Sequence, residues 1–85
     1  MTSTPREIIR SFILREFLPD VEADELSPTT PLISGGILNS IATVRMVMFL
    51  EEQFGIQMQP HEINADNLET IDRIAELVRR KQAGA

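Results

Sequence analysis

The chain has no cysteine, no tryptophan, no tyrosine and one histidine among its 85 residues. Without thiols there are no disulfides and no thiolate zinc site, and a lone imidazole argues against any tight transition-metal centre. Long apolar runs are missing as well. The longest is Met46-Val47-Met48-Phe49-Leu50, far short of the roughly 20 residues that span a bilayer, so no membrane crossing is expected. The opening Met1-Thr2-Ser3-Thr4-Pro5-Arg6 lacks the cationic-then-apolar layout of a secretory signal, and the expected compartment is the cytoplasm. Positive charge is scarce: eight Lys and Arg face thirteen Asp and Glu, for a net charge of −5. With four Phe that do not interleave with any basic stripe, nucleic acid is a poor partner.

What is there is a globular balance, 42% apolar and 25% charged. A chain of this length forms one domain, residues 1–85, with an ordered core expected over about 4–81. The charge is unevenly spread. Residues 1–15 and 70–85 each sum to +2, which leaves −9 for the middle, where Arg45 is the only base among ten acids. Any partner of that middle meets a negative field.

Thr4-Pro5-Arg6-Glu7 places an N-cap residue, a proline at the first helical position and a Glu three after the cap, the pattern of a capping box. Ile8, Ile9, Phe12, Ile13 and Phe17 follow as an apolar stripe, and Pro19 ends the helix. Residues 18–36 hold three prolines and Gly35-Gly36 without periodicity, a long loop of a length that is usually functional. Val21, Leu26, Leu32 and Ile33 are its expected anchors, Leu26 and Leu32 first among them. A second helix starts at Asn39 or Ser40 and stops at Gly55, a residue suited to the left-handed position. Thr43, Met46, Val47, Leu50 and Phe54 share one arc of it, the expected core face. Ile41, Val44 and Met48 share the opposite arc. Such a helix is either buried on both sides or keeps one stripe for a partner, and in a small domain the partner reading is the better one.

Ile56-Gln57-Met58 alternates but is too short for a strand. A brief third helix is expected over about 61–65, with Ile63 buried. The last helix takes Thr70 as cap, Ile71, Ile74, Ala75 and Val78 as stripe with Leu77 at its edge, and Arg79, Arg80 and Lys81 where cations suit the dipole. The fold expected is all-α.

Chemistry concentrates at Gly35-Gly36-Ile37-Leu38-Asn39-Ser40-Ile41, where a serine occupies the first turn of a helix. Free backbone amides and the macrodipole favour an anion there, so a phosphate on Ser40 would be stabilised. A plain helix cap is the ordinary alternative for Asn39 or Ser40. Catalysis by Ser40 itself would need an adjacent base. His61 lies 21 residues on, and a Ser40–His61 pair aided by Asp66 or Glu62 has no G-x-S-x-G elbow around the serine.

The run Gly36-Ile37-Leu38-Asn39-Ser40-Ile41, with Val44, Phe49-Leu50-Glu51-Glu52-Gln53-Phe54-Gly55-Ile56 and Asn64-Ala65-Asp66-Asn67-Leu68-Glu69-Thr70-Ile71, resembles the acyl and peptidyl carrier proteins over nearly the whole chain. The resemblance implies a four-helix bundle of acyl-carrier type with a long first loop and a short third helix. It also implies that Ser40 receives 4′-phosphopantetheine from coenzyme A, with Asn39 as the helix cap beside it. The family's usual Asp-Ser-Leu or Asp-Ser-Met is Asn39-Ser40-Ile41 in this chain, one negative charge fewer beside the serine.

By the same resemblance, helix two is what partner enzymes grip. Ala42 and Arg45 stand where fatty-acid-type carriers have acids, and Ile41, Val44, Met48 and Phe49 ring the helix, with core packing the plainer reading of Met48 and Phe49. This less acidic surface is closer to peptidyl or aminoacyl carriers. The chain is thus expected to be a freestanding, monomeric carrier and not an enzyme. Its expected partners are a phosphopantetheinyl transferase, an adenylating or acyl-transferring loading enzyme and a downstream biosynthetic enzyme, in secondary metabolism or aminoacyl assembly more than in fatty-acid synthesis. The alternative is a helical interaction module that keeps the fold without the prosthetic group.

Overall fold

A computed structural model of the chain describes residues 4–84 and, within them, all side chains but that of Ala23. Met1-Thr2-Ser3 and Ala85, part of the expected 1–85 domain, lie outside the described residues. Four α-helices follow in order: α1 Pro5–Phe17, α2 Ser40–Phe54, α3 Ala65–Leu68 and α4 Ile71–Ala83. No strand occurs among the described residues.

Each helix begins where a short polar side chain satisfies an orphan amide. Thr4 accepts from Glu7 N in α1, Asn39 from Ala42 N in α2, Asn64 from Asn67 N in α3 and Thr70 from Arg73 N in α4. In α1 the Thr4 hydroxyl also donates to the Glu7 carboxylate at 3.1 Å. Gly55 ends α2 at φ +65°, in the left-handed region where a Cβ is unfavourable.

One contiguous core joins all four helices: Ile9, Phe12 and Ile13 from α1, Ala42, Met46 and Leu50 from α2, Leu68 from α3, and Ile71, Ile74, Leu77 and Val78 from α4. The packing between helices is uneven. Helix α1 lies closest to α4, α3 packs on α4, and α2 reaches α1 through aromatic rings, Phe49 stacking on Phe12 with centroids 3.9 Å apart. Arg6 Nε donates to Asp72 Oδ1 at 2.6 Å and links the starts of α1 and α4.

Several expectations shift. The long first connection contains a 3-10 turn, Ala23–Glu25, and Leu26 and Leu32 are buried as expected, while Val21 and Ile33 are half-buried. The third helix does not cover 61–65. A 3-10 turn, Pro60–Glu62, is closed at Gln59, whose amide donates to the Glu62 carboxylate at 2.8 Å and whose carbonyl accepts from Glu62 N at 2.9 Å, and Asn64 then restarts the chain as a separate cap for α3. Ile63, between the two, is exposed. Met58 and Leu68 are buried in its place, because two caps five residues apart turn Ile63 outward and its neighbours inward. On α4 Leu77 is fully in the core and Ala75 only half-buried. The core arc of α2 centres on Ala42, Met46 and Leu50, with Thr43, Val47 and Phe54 half-buried at its margin.

Candidate functional site

Ser40 is the first residue of α2 and is solvent-exposed. Asn39 is the cap, in extended backbone at φ −80°, ψ −174°. Its Oδ1 accepts from Ala42 N at 2.8 Å and its carbonyl from Thr43 N at 2.8 Å. Two of the helix's opening amides are thereby used. The N–H groups of Ser40 and Ile41 have no partner among the described residues. No acidic residue lies in the first turn of α2, and a phosphodiester at Ser40 would meet the positive end of the helix without an opposing carboxylate on that turn.

The chain reaches this serine through a pinned hairpin of loop. Leu32, fully buried, donates its amide to the Glu69 carbonyl at 2.7 Å, and its own carbonyl accepts from Leu38 N at 2.8 Å. Residues 33–38 are therefore closed at their base, with Leu32 and Leu38 both in the core. Gly36 takes φ +83° at the tip, and a Cβ on Gly35 would sit 2.3 Å from the Pro31 carbonyl oxygen. In this loop glycine is thus required for space at Gly35 and favoured for conformation at Gly36. The outer limb is held by Glu69, which follows α3. Its Oε1 accepts from Ile33 N at 2.9 Å and Ser34 N at 3.0 Å, and its Oε2 from the Ser34 hydroxyl at 2.6 Å. The Ser34 hydroxyl, then the Ser34 and Ile33 amides, hold the Glu69 carboxyl below the ordinary carboxylate value, with Arg73 adding to the effect.

Along α2 from Ser40 runs an exposed apolar ridge, Ile41 at 75%, Val44 at 59% and Met48 at 62% of full exposure. Arg45, also exposed, stands 3.9 Å from Glu16 of α1, a loose pair. Phe49 differs from its ridge neighbours. It is half-buried, stacked on Phe12 and edge-on to Phe54 at 6.5 Å, so it supports the ridge from beneath and belongs mainly to the α1–α2 packing.

Among the described residues no side chain hydrogen-bonds the Ser40 hydroxyl, and His61 is exposed on the 3-10 turn, its carbonyl taking Asn64 Nδ2 at 2.7 Å. Glu62, a possible orienter for that imidazole in the sequence, instead accepts from Lys81 Nζ at 2.7 Å and from Gln59 N at 2.8 Å. The Lys81 bond first, then the Gln59 amide, lower its carboxyl pKa. Glu69 and Leu38 are the site-building residues that the sequence reading missed. No local pattern pointed to Glu69, whose carboxylate partners lie 35 and 36 residues away in the sequence.

The family described as the phosphopantetheine attachment site matches residues 12–78. Acyl carrier protein 2, chloroplastic, of Arabidopsis thaliana is 38% identical over 66 residues, 78% of this chain and 46% of that protein. The D-alanyl carrier proteins of two strains of Lactobacillus delbrueckii subsp. bulgaricus are 35% identical over 51 residues, 60% of this chain and 64% of theirs. The chain thus spans less than two thirds of the length of these relatives. Among solved structures, a chain from the crystal structure of FAD-dependent dehydrogenase superposes with a TM-score of 0.75 at 33% identity, covering 82% of this chain and 97% of that one. An exposed serine on a helix start with two free amides is a fitting seat for a phosphate-linked arm, and the chain belongs to the phosphopantetheine-binding carrier proteins, the family whose prosthetic group is covalent 4′-phosphopantetheine.

Proposed function

We propose that Ser40 is the attachment residue and that the chain carries an acyl or aminoacyl group as a thioester for partner enzymes, without catalysing a reaction itself. The observation that carries this reading is the exposed Ser40 hydroxyl beside the unpaired amides of Ser40 and Ile41. In modification, Ser40 Oγ would form a new bond to the phosphorus of coenzyme A that bears the pantetheine, and the nucleotide half would leave. The serine's proton would go to a base on the transferase, since among the described residues no side chain hydrogen-bonds the Ser40 hydroxyl. The arm supplies the thiol that a chain without cysteine lacks.

Partner enzymes would dock along Ile41, Val44 and Met48, with Arg45 at the margin. This ridge is apolar and carries one cation where a fatty-acid-type carrier has acids, which supports aminoacyl or peptidyl-type cargo and a role in secondary metabolism. Met48, unbranched and polarizable, suits a surface that meets several enzymes in turn. The match to a chain from a crystal structure of FAD-dependent dehydrogenase supports a flavin dehydrogenase as one downstream partner class. That chain is hardly longer than the matched stretch, too short for a dinucleotide-binding fold of its own. We place the protein in the cytoplasm, as a monomer. Among the described residues no helix is long and apolar enough to cross a membrane.

The test is intact mass after incubation with a phosphopantetheinyl transferase and coenzyme A. The chain should gain one phosphopantetheinyl group and Ser40→Ala none. A gain on Ser40→Ala would overturn the site, and no gain on the wild type would favour a carrier fold kept only for binding. For the dehydrogenase reading, an acyl-loaded chain should lose two hydrogens when given such an enzyme and its electron acceptor.

A further inference from the structure

We infer that Glu69 is a positioning residue for the modification of Ser40, a role that rests on Ser40 being the attachment site. The segment that delivers Ser40 has no regular structure between Ser34 and Asn39, and Gly35-Gly36 in its middle gives it little stiffness of its own. Beside the Leu38–Leu32 and Gly36–Ile33 backbone bonds within the loop, a single distant residue ties it to the rest of the domain by hydrogen bonds. The Glu69 carbonyl takes Leu32 N at the base of the loop, and the two carboxylate oxygens take the Ile33 amide, the Ser34 amide and the Ser34 hydroxyl on its outer limb. From there the path to the serine is short: Leu32 O holds Leu38 N, and the next residue, Asn39, caps the helix on which Ser40 sits.

The three carboxylate bonds are charge-assisted and two of them engage adjacent amides, so they fix the loop in orientation as well as in place. Leu32 and Leu38 are pinned by burial, which means that losing the carboxylate frees the stretch between them and leaves the core alone. Glu69 does not touch the hydroxyl that reacts. Its effect is on the fraction of molecules that present the serine in the docked geometry, and a transferase sees a reduced competent fraction as a proportionally higher KM.

The experiment compares wild type, Glu69→Ala, Glu69→Gln and Ser34→Ala in two measurements. On the unmodified protein, amide hydrogen exchange should quicken at Ile33, Ser34 and Gly36 in Glu69→Ala while Leu38, Ile9, Ile13, Ile74 and Val78 hold their protection. With a phosphopantetheinyl transferase and coenzyme A, KM for Glu69→Ala should rise about tenfold at nearly constant kcat. Glu69→Gln keeps an acceptor oxygen for the two amides and should recover most of the loss. Ser34→Ala removes one bond of the three and should show a smaller rise of the same kind, which keeps the test open if Glu69→Ala fails to fold.

Wild-type KM in both Glu69→Ala and Ser34→Ala would overturn the inference, as would a loss shared equally by Glu69→Ala and Glu69→Gln with faster exchange throughout the core, the mark of lowered overall stability. Absence of modification in the wild type would instead overturn Ser40 as the site, and the exchange data would still report on the loop.

Discussion

Replacing Asn39 tests both the stability of α2 and the meaning of the missing acid beside Ser40. In Asn39→Ala the Ala42 amide loses its partner at 2.8 Å. Ala42 is only 6% exposed, so water replaces the bond poorly and the loss should fall in the upper part of the usual range for a cap, about 1–2 kcal/mol. For a domain of this size each kcal/mol moves the midpoint by about 4–8 °C, which gives a fall of about 5–15 °C. Asn39→Asp keeps the acceptor and adds a charge at the positive end of the helix, a gain of about 0.3–1 kcal/mol, or a rise of a few degrees. On the proposed attachment at Ser40, that gain should shrink in the modified protein, because the carboxylate would then face a phosphodiester on the next residue. With no Trp or Tyr in the chain, far-UV circular dichroism of the apo and modified proteins is the appropriate melt. An Asn39→Ala midpoint within about 2 °C of wild type would refute the capping argument, and an equal Asn39→Asp gain in both forms would refute the electrostatic one.

Met48→Glu should leave the melt unchanged, since the side chain is 62% exposed, and should weaken loading by partner enzymes. Undiminished loading kinetics would remove Met48 from the docking ridge. Gly35→Ala drives a methyl to within 2.3 Å of the Pro31 carbonyl oxygen, so the loop must shift and the rate of Ser40 modification should drop, with wild-type kinetics counting against the described loop. Glu62 and Glu69 have folded pKa values below the ordinary 4.5. Their contribution to stability is therefore fully present above that value and is lost as pH falls through the folded values. Urea midpoints should decline below about pH 4.5, less steeply in Glu69→Gln. A midpoint flat down to pH ~3 would contradict both hydrogen-bond sets.

The helices with regular stripes were legible because local chemistry determines them. Thr4, Thr70 and Gly55 act on amides and backbone conformation within a few residues, and the Ile9, Phe12, Ile13 and Ile71, Ile74, Val78 spacings each define a buried face without reference to the rest of the chain. The third helix was misplaced because Asn64 competes with Gln59 and Glu62 over five residues, and periodicity carries no information at that length. Phe49 stayed open between two readings for a different reason. Its place on the helix wheel suits either a ridge or a core, and the Phe12 ring 37 residues earlier decides it.

The sequence by itself determined the class of this protein: a cysteine-free, four-helix carrier whose thiol must be supplied by an attached arm, with Asn39 and Ser40 opening α2. The tertiary structure decided how that serine is presented. The loop before it has no periodicity to read, and its conformation comes from contacts that span more than thirty residues, the Glu69 carboxylate on Ile33 and Ser34 and the Glu69 carbonyl on Leu32. Such bonds leave no trace in local spacing, because a carboxylate accepts from whatever amides the folded chain brings to it.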